Sequence, residues 1–170
     1  GEQKLTDYTE QFEDKVTALV GEALAKMAPA SLESGNGTAR FAVNRRSNKE
    51  GALTATSPLQ GPNDHAVPVL KVVRSDGAVT AIVFGYACHA TVLDGYQWSG
   101  DYPGFAQVAL ETQYPDATAL FFAGCGADQN PLPRRSVALA RQYGATLAAA
   151  VACVLEGTMT PLPPTLITGY

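Results

Sequence analysis

The sequence predicts an α/β layered domain with a mixed, partly parallel sheet flanked by helices. Three observations point there. The run Ala78 to Ala87 is apolar on both faces, the pattern of a central strand covered on each side. Helix-period and strand-period segments alternate, in the order helix, strand, hairpin, helix, strand, helix, strand. Polar or glycine-rich turns follow the buried strands directly, where ligand sites in open α/β sheets collect. A length of 170 residues fits one domain, with enough chain to bury a core.

The elements follow from local pattern. Leu5, Tyr8, Phe12, Val16, Leu19, Val20, Ala23, Leu24 and Met27 recur at three- and four-residue spacing and make the stripe of a first helix. Thr6 or Asp7 can cap its start, and Pro29 ends it. A short strand is expected near Arg40 to Val43, followed by a Ser-, Asn-, Gly-, Pro- and Thr-rich loop from Ser47 to Asn63. Loops of that length inside compact domains are often functional or mobile. Pro68 to Arg74 and Ala78 to Ala87 are strands joined by Ser75-Asp76-Gly77, in which Asp-Gly is a hairpin signal.

A helix from Asp101 to Gln113 has Asp101 as its N-cap and Pro103 in its first turn. Ala117 to Ala123 is a further buried strand, and Pro133 to Glu156 a long helix with Val137, Tyr143, Leu147, Val151 and Leu155 on one face. The chain opens almost directly in a helix without Met and closes on the strand-like Leu166-Ile167-Thr168-Gly169-Tyr170. Both features are expected of a segment cut from a longer protein.

Composition narrows the function. A net charge of −4, with no Lys/Arg cluster longer than a pair, argues against nucleic acid as the main partner. No apolar run approaches the roughly 20 residues of a bilayer span, so no transmembrane segment is expected. Gly1 to Lys15 is polar and charged, unlike a secretion signal. The three cysteines, Cys88, Cys125 and Cys153, are too scattered for a disulfide framework or a CxxC zinc knot. Cys153 falls on an apolar helix face and reads as core.

Three segments carry candidate chemistry. In Tyr86-Ala87-Cys88-His89-Ala90-Thr91, His89 leaves a buried strand, either presenting a ring nitrogen to a cleft or bonding a backbone carbonyl as a core histidine. Ser99-Gly100-Asp101-Tyr102-Pro103-Gly104 offers free N–H groups at a helix start to an anion or oxyanion, or is an ordinary capped helix. Ala123-Gly124-Cys125-Gly126-Ala127-Asp128-Gln129-Asn130-Pro131 lets backbone approach a ligand closely. Around Cys125 it also resembles a nucleophile elbow, although Pro131 and Pro133 delay the next helix. His65 reads as a surface histidine bonded to Asp64 or to backbone.

In order and spacing these segments resemble the N-terminal catalytic domain of the neutral/alkaline (non-lysosomal) ceramidase family. The residues that carry the resemblance are the pair Asn44-Arg45, then Asp64 before the strand Val67 to Val73, and Phe84-Gly85-Tyr86-Ala87-Cys88-His89. Ser99-Gly100-Asp101-Tyr102-Pro103-Gly104-Phe105-Ala106 and Gly126-Ala127-Asp128-Gln129-Asn130-Pro131 continue it. Members of the family are zinc amidohydrolases that cleave the amide between a fatty acid and a sphingoid base.

The resemblance implies that His89 is a zinc ligand. The family's other ligands are a His in an upstream His-rich Gly-Pro-Gly loop and a Glu and a Tyr downstream, segments that these 170 residues do not contain. A catalytic zinc needs about three protein ligands and an open position, so the ligand set is incomplete in this chain. The family hexapeptide Gly-Asp-Val-Ser-Pro-Asn aligns with Asp128 on its Asp, Asn130 on its Ser and Pro131 on its Pro. Asn is no nucleophile, but its amide can hydrogen-bond a carbonyl oxygen or a metal-bound water, which leaves metal-activated water as the nucleophile.

The expected function is therefore a zinc-dependent amide hydrolase, present as part of a larger catalytic domain. Its substrate would be a small-molecule or lipid amide, and its partner the rest of the parent chain. Asn130 and Asp128 are the catalytic candidates, and Ser99, Gly100, Gly126 and Gln129 the substrate-binding ones. The resemblance implies an extracytoplasmic location, whereas the odd count of three cysteines suits a reduced compartment, and the sequence leaves the location open. Two alternatives stand beside this reading: a non-catalytic relative that binds lipid or glycan, and a thiol hydrolase using Cys125.

Overall fold

The computed structural model describes residues 2–54 and 56–168. Helix α1 (Glu2–Ala25) is followed by strands β1 (Ala30–Thr38) and β2 (Ala42–Asn44) and a short 3-10 turn at Glu50–Ala52. The hairpin β3 (Ala66–Arg74) and β4 (Val79–Tyr86) comes next, then α2 (Asp101–Gln113), β5 (Thr118–Ala123), β6 (Gln129–Pro131), α3 (Val137–Glu156) and β7 (Thr160–Pro161). Five strands form one sheet in the order β5-β4-β3-β1-β7, while β2 and β6 make a separate two-stranded ribbon. β4 and β5 run parallel, whereas β1 with β3, β1 with β7 and β3 with β4 are antiparallel. This is the mixed, partly parallel α/β sheet with flanking helices that the sequence predicts.

The hairpin forms where Asp-Gly places it. Gly77 takes φ +87°, and Asp76 Oδ1 accepts Ala78 N–H at 3.0 Å. Strand β1 has no counterpart in the sequence reading, because Ala-Ser-Leu-Glu-Ser-Gly-Asn-Gly-Thr looks like a turn. Its glycines have a packing reason instead. A Cβ on Gly35 would meet Val154 Cγ1 at 2.5 Å, and one on Gly37 would meet the Ala150 carbonyl oxygen at 2.9 Å. Bare backbone lets α3 lie directly on the strand.

Register then fixes which face is buried. Gly35 pairs with Val69 and Val69 with Phe84, so these residues share the face under α3. Val67, Val69, Ile82, Phe84 and Tyr86 form the core there, with Leu110 from α2 and Leu147 and Val151 from α3. The opposite face carries Leu70, Val83 and Leu120 in one cross-strand row. No described helix covers that row as it covers the first face: Leu120 is 47% and Phe122 45% exposed. The expectation that helices cover β4 on both sides is thus met on one side.

Other expectations need correction. α1 forms, but it begins at Glu2, ahead of the caps expected at Thr6 or Asp7, and its stripe of Leu5, Tyr8, Phe12, Leu19 and Leu24 stays exposed. α3 has the length and apolar composition of a membrane span, contrary to the expectation that no run approaches one. Its inner face of Ala140, Gly144, Leu147 and Val151 packs in the core, as a layered domain requires. Its N-cap is Ser136, whose hydroxyl accepts Leu139 N–H at 3.2 Å, later than the Pro133 start expected. Cys153, expected in the core, is exposed. Leu166 to Thr168 form no strand, and Gly169 and Tyr170 lie outside the described residues.

Candidate functional site

Among the described residues β4 and β5 are the only parallel pair, and their carboxyl ends lead into the segments 87–94 and 124–128. That is the end of a parallel sheet where ligands bind. The two segments are sewn to each other. Gly124 N–H donates to the Tyr86 carbonyl at 3.1 Å, and His89 N–H to the Gln129 carbonyl at 3.0 Å. A Cβ on Gly126 would fall 2.4 Å from Cys88 N and 2.5 Å from the Ala87 carbonyl carbon. Glycine at 126 therefore serves close backbone packing beneath His89.

An aromatic cluster supports the strand exit from below. Phe41 stacks on Tyr143 at 4.7 Å and meets Tyr86 at 4.7 Å and Tyr102 at 5.0 Å. Their hydroxyls fix backbone: Tyr86 donates to the Ala39 carbonyl and Tyr102 to the Cys88 carbonyl, each at 2.8 Å. Burial raises both phenols, Tyr86 to about 12, so they act as neutral donors. Burial likewise pushes the Cys88 thiol up to about 12, which removes it as a thiolate nucleophile. Cys125 is exposed.

His89 places Nε2 3.2 Å from the Ala127 carbonyl oxygen. Its geometry is the backbone-bonded alternative of the sequence reading, at a half-buried position. The same carbonyl accepts Arg45 Nε at 3.0 Å. Arg45 and His89 thus converge on one backbone oxygen beside Asp128. The pair Asn44-Arg45 belongs to the family-like run, but only the structure gives these two side chains work.

Asp128 and Asn130 differ in their surroundings. Asn44 donates one amide N–H to Asp128 Oδ2 at 2.8 Å and to the Pro62 carbonyl at 3.0 Å, while its Oδ1 accepts Arg46 and Ser47 N–H groups. Asn44 is a buried hub that orients the aspartate and ties down the loop after it. Gln129, on the same ribbon face, donates Nε2–H to the Pro62 carbonyl at 3.0 Å, leaving Oε1 buried and unpaired. Asn130 lies opposite Val43 on the other face. It is 8% exposed, and its amide makes no hydrogen bond within the described residues. Unlike Gln129 Oε1, its amide atoms are not sealed from solvent, so the group is open to water or a ligand.

The Ser99-Gly100-Asp101 segment stands apart from this cluster. Gly100 occupies the N-cap, and Asp101, expected as the cap, is the first helical residue, with φ +51°. Its carboxylate takes N–H bonds from Tyr102 at 2.7 Å, Val92 at 3.2 Å and Leu93 at 2.8 Å. A buried Asp in the left-handed region is held there by these three donors, which fasten the chain leaving His89 to α2. Ser99 Oγ accepts Asp101 N–H at 3.0 Å. His65, expected on the surface, has a buried Nδ1 without a partner; Asp64 Oδ1 instead accepts Ala66 N–H at 2.9 Å.

Zinc is the group that the family resemblance implies. Among the described residues no three His, Cys, Asp or Glu side chains come together as a metal site, and His89 faces a carbonyl oxygen. These residues do not by themselves make a zinc centre.

The fold and the strand-end segments define a layered α/β protein with its candidate site at a parallel strand pair. Two solved structures share that fold. One is a ceramidase complexed with C2, matched at TM-score 0.69 and 18% identity over 82% of this chain and 24% of that one. The other is the neutral ceramidase of Pseudomonas aeruginosa, at TM-score 0.68 and 18% identity over 84% of this chain and 25% of that one. The chain spans about a quarter of the length of these structures. No family model matches the sequence, and no curated protein matches it.

Proposed function

We propose that this chain is a segment of the catalytic domain of an amide hydrolase of the neutral ceramidase type, acting on a small-molecule or lipid amide. The observation that carries the proposal is the fold match to ceramidases over 82% of the chain, joined to the placement of His89 and the 126–131 segment at the carboxyl ends of β4 and β5. Zinc belongs to this reading, with His89 as one ligand and the others beyond the described residues. Zinc, if held by the complete ligand set, would supply Lewis acidity to an amide carbonyl or to water.

The chain's own residues contribute binding and orientation. The free amide of Asn130 can donate to the substrate carbonyl or accept from water. Asp128, aimed by Asn44, holds a neighbouring hydrogen-bonding position. Gly126 and Gln129 shape the backbone on either side of Asp128, and Ser99 and Gly100 are assigned to substrate binding by the family resemblance alone. Asparagine where the family has serine favours a second reading, a relative that binds lipid or glycan without turnover.

Hydrolysis of N-acyl amides by the full-length protein, with and without a chelator, separates these readings. Chelator-sensitive turnover is expected. Metal binding without turnover across a broad amide and ester panel would establish the binding relative. Activity lost to iodoacetamide but indifferent to chelator would move the reaction to Cys125.

A further inference from the structure

Two apolar surfaces of this chain face solvent. The first is the stripe of α1, whose large residues from Leu5 to Leu24 are 42–67% exposed. Residues 3–25 are exposed throughout, so the helix does not lie on its own sheet. At 100° per residue the stripe takes up about 160° of the helix, a broad face of the kind that packs on a core. A coiled-coil seam is narrower. The second surface is the open face of the sheet. Its row Leu70–Val83–Leu120 is flanked along the strands by Leu32 at one end and Phe122 at the other. The Phe122 ring lies over Gly85, where a Cβ would overlap it. On β4 and β5 the positions of this face carry no charge.

The two surfaces fit each other in size. The 24 residues of α1 span about 36 Å, against about 30 Å for the nine residues of β1. A helix about 10 Å across leaves a footprint on the order of 360 Å². Two helices laid on two sheet faces would remove on the order of 1,400 Å² from water, counting both sides of each contact. That reaches the roughly 1,200–2,000 Å² of a stable protein–protein interface. A second copy supplies both halves of the match, and reciprocal exchange about a two-fold axis leaves neither surface over. One-way docking would instead leave a free helix and a free face for a growing chain of copies.

We infer that two copies of this chain pair by exchanging α1, the apolar stripe of each helix lying on the open sheet face of the other copy. The pairing rests on these two surfaces and is independent of the hydrolase reading. It would complete the second layer over the parallel strands β4 and β5, which parallel pairs ordinarily have.

Sedimentation equilibrium of the full-length protein tests the exchange, comparing wild type with Val16→Asp on α1 and Leu120→Asp on the sheet. Both positions are exposed in the separated chain, so each variant should keep the wild-type circular dichroism spectrum. The wild type is expected to dimerise with a Kd that is micromolar or tighter. Each variant is expected to raise that Kd about thirtyfold or more, the mark of a residue central to an interface. Stability measured below the Kd belongs to the separated chain, in which the stripe contributes little. Dissociation by Val16→Asp alone would mean that α1 pairs with α1, and by Leu120→Asp alone that sheet pairs with sheet. Either result overturns the exchange. A wild type that stays monomeric also overturns it, and gives the open face to the rest of the parent chain or to the chain's own α1.

Discussion

Asn130 and Glu50 divide between a proposed functional role and support. Asn130 is nearly buried and its side-chain amide makes no hydrogen bond among the described residues, so its truncation removes none there. Asn130→Ala is expected to change unfolding free energy by less than about 1 kcal/mol. The same change is expected to lower kcat roughly 10²-fold, the scale of losing one preorganised polar group at a reacting carbonyl. Denaturant unfolding and hydrolysis of one N-acyl amide measure the two effects. A large loss of stability with unchanged kcat would make Asn130 a structural residue.

Glu50 belongs to the other kind. Hydrogen bonds from Arg134 hold its carboxyl below the ordinary 4.5, against the opposing effect of burial. A carboxyl with a depressed folded pKa adds stability that is present above its unfolded value and is lost as pH falls through the folded one. The pair is about one-third exposed at Glu50, so its contribution is at most about 1 kcal/mol. Unfolding midpoints between about pH 6 and about pH 3 should fall less steeply below 4.5 in Arg134→Met than in the wild type. Identical acid slopes would mean that the pair contributes nothing to acid stability.

At the scale of elements, β1 and α1 carry opposite lessons. β1 is fastened by α3 lying on Gly35 and Gly37, so Gly37→Val must push against the Ala150 carbonyl. A loss of about 1–3 kcal/mol is expected from this overpacking, and about 2–5 kcal/mol from Leu147→Ala in α3. Leu19→Ala on the exposed stripe of α1 should stay within about 0.5 kcal/mol. Chemical denaturation of the three variants tests the ranking, and a Leu19 effect as large as that of Leu147 would contradict it.

These same elements mark what local pattern could carry. The β3–β4 hairpin, α2 and β5 are legible because Asp-Gly turns and apolar periodicity are local signals. β1 is not, since its glycines answer to a helix more than a hundred residues later. At the site, the family-like runs place His89, Asp128 and Asn130 on neighbouring segments. What they could not supply is contact. The Asn44 hub, the convergence of Arg45 and His89 on the Ala127 carbonyl, and the stapling role of Asp101 depend on chain segments that fold together from a distance. The β2–β6 ribbon is only three residues per strand, too short for a period-two pattern to register.

For the whole molecule, one face of the sheet is packed under α2 and α3, and the other shows Leu120 and Phe122 beside a parallel strand pair. Parallel pairs are ordinarily buried on both faces. The two ceramidase structures are about four times longer than the part this chain matches, so the activity of a whole enzyme is a property of more chain than these residues. That places the decisive test in the full-length protein and on His89. Metal analysis of purified wild type and His89→Ala, paired with hydrolysis of an N-acyl amide, reads the central claim directly. Zinc bound in proportion to the wild-type protein and lost together with turnover in His89→Ala is the expected result. Full zinc occupancy and undiminished turnover in His89→Ala would contradict it.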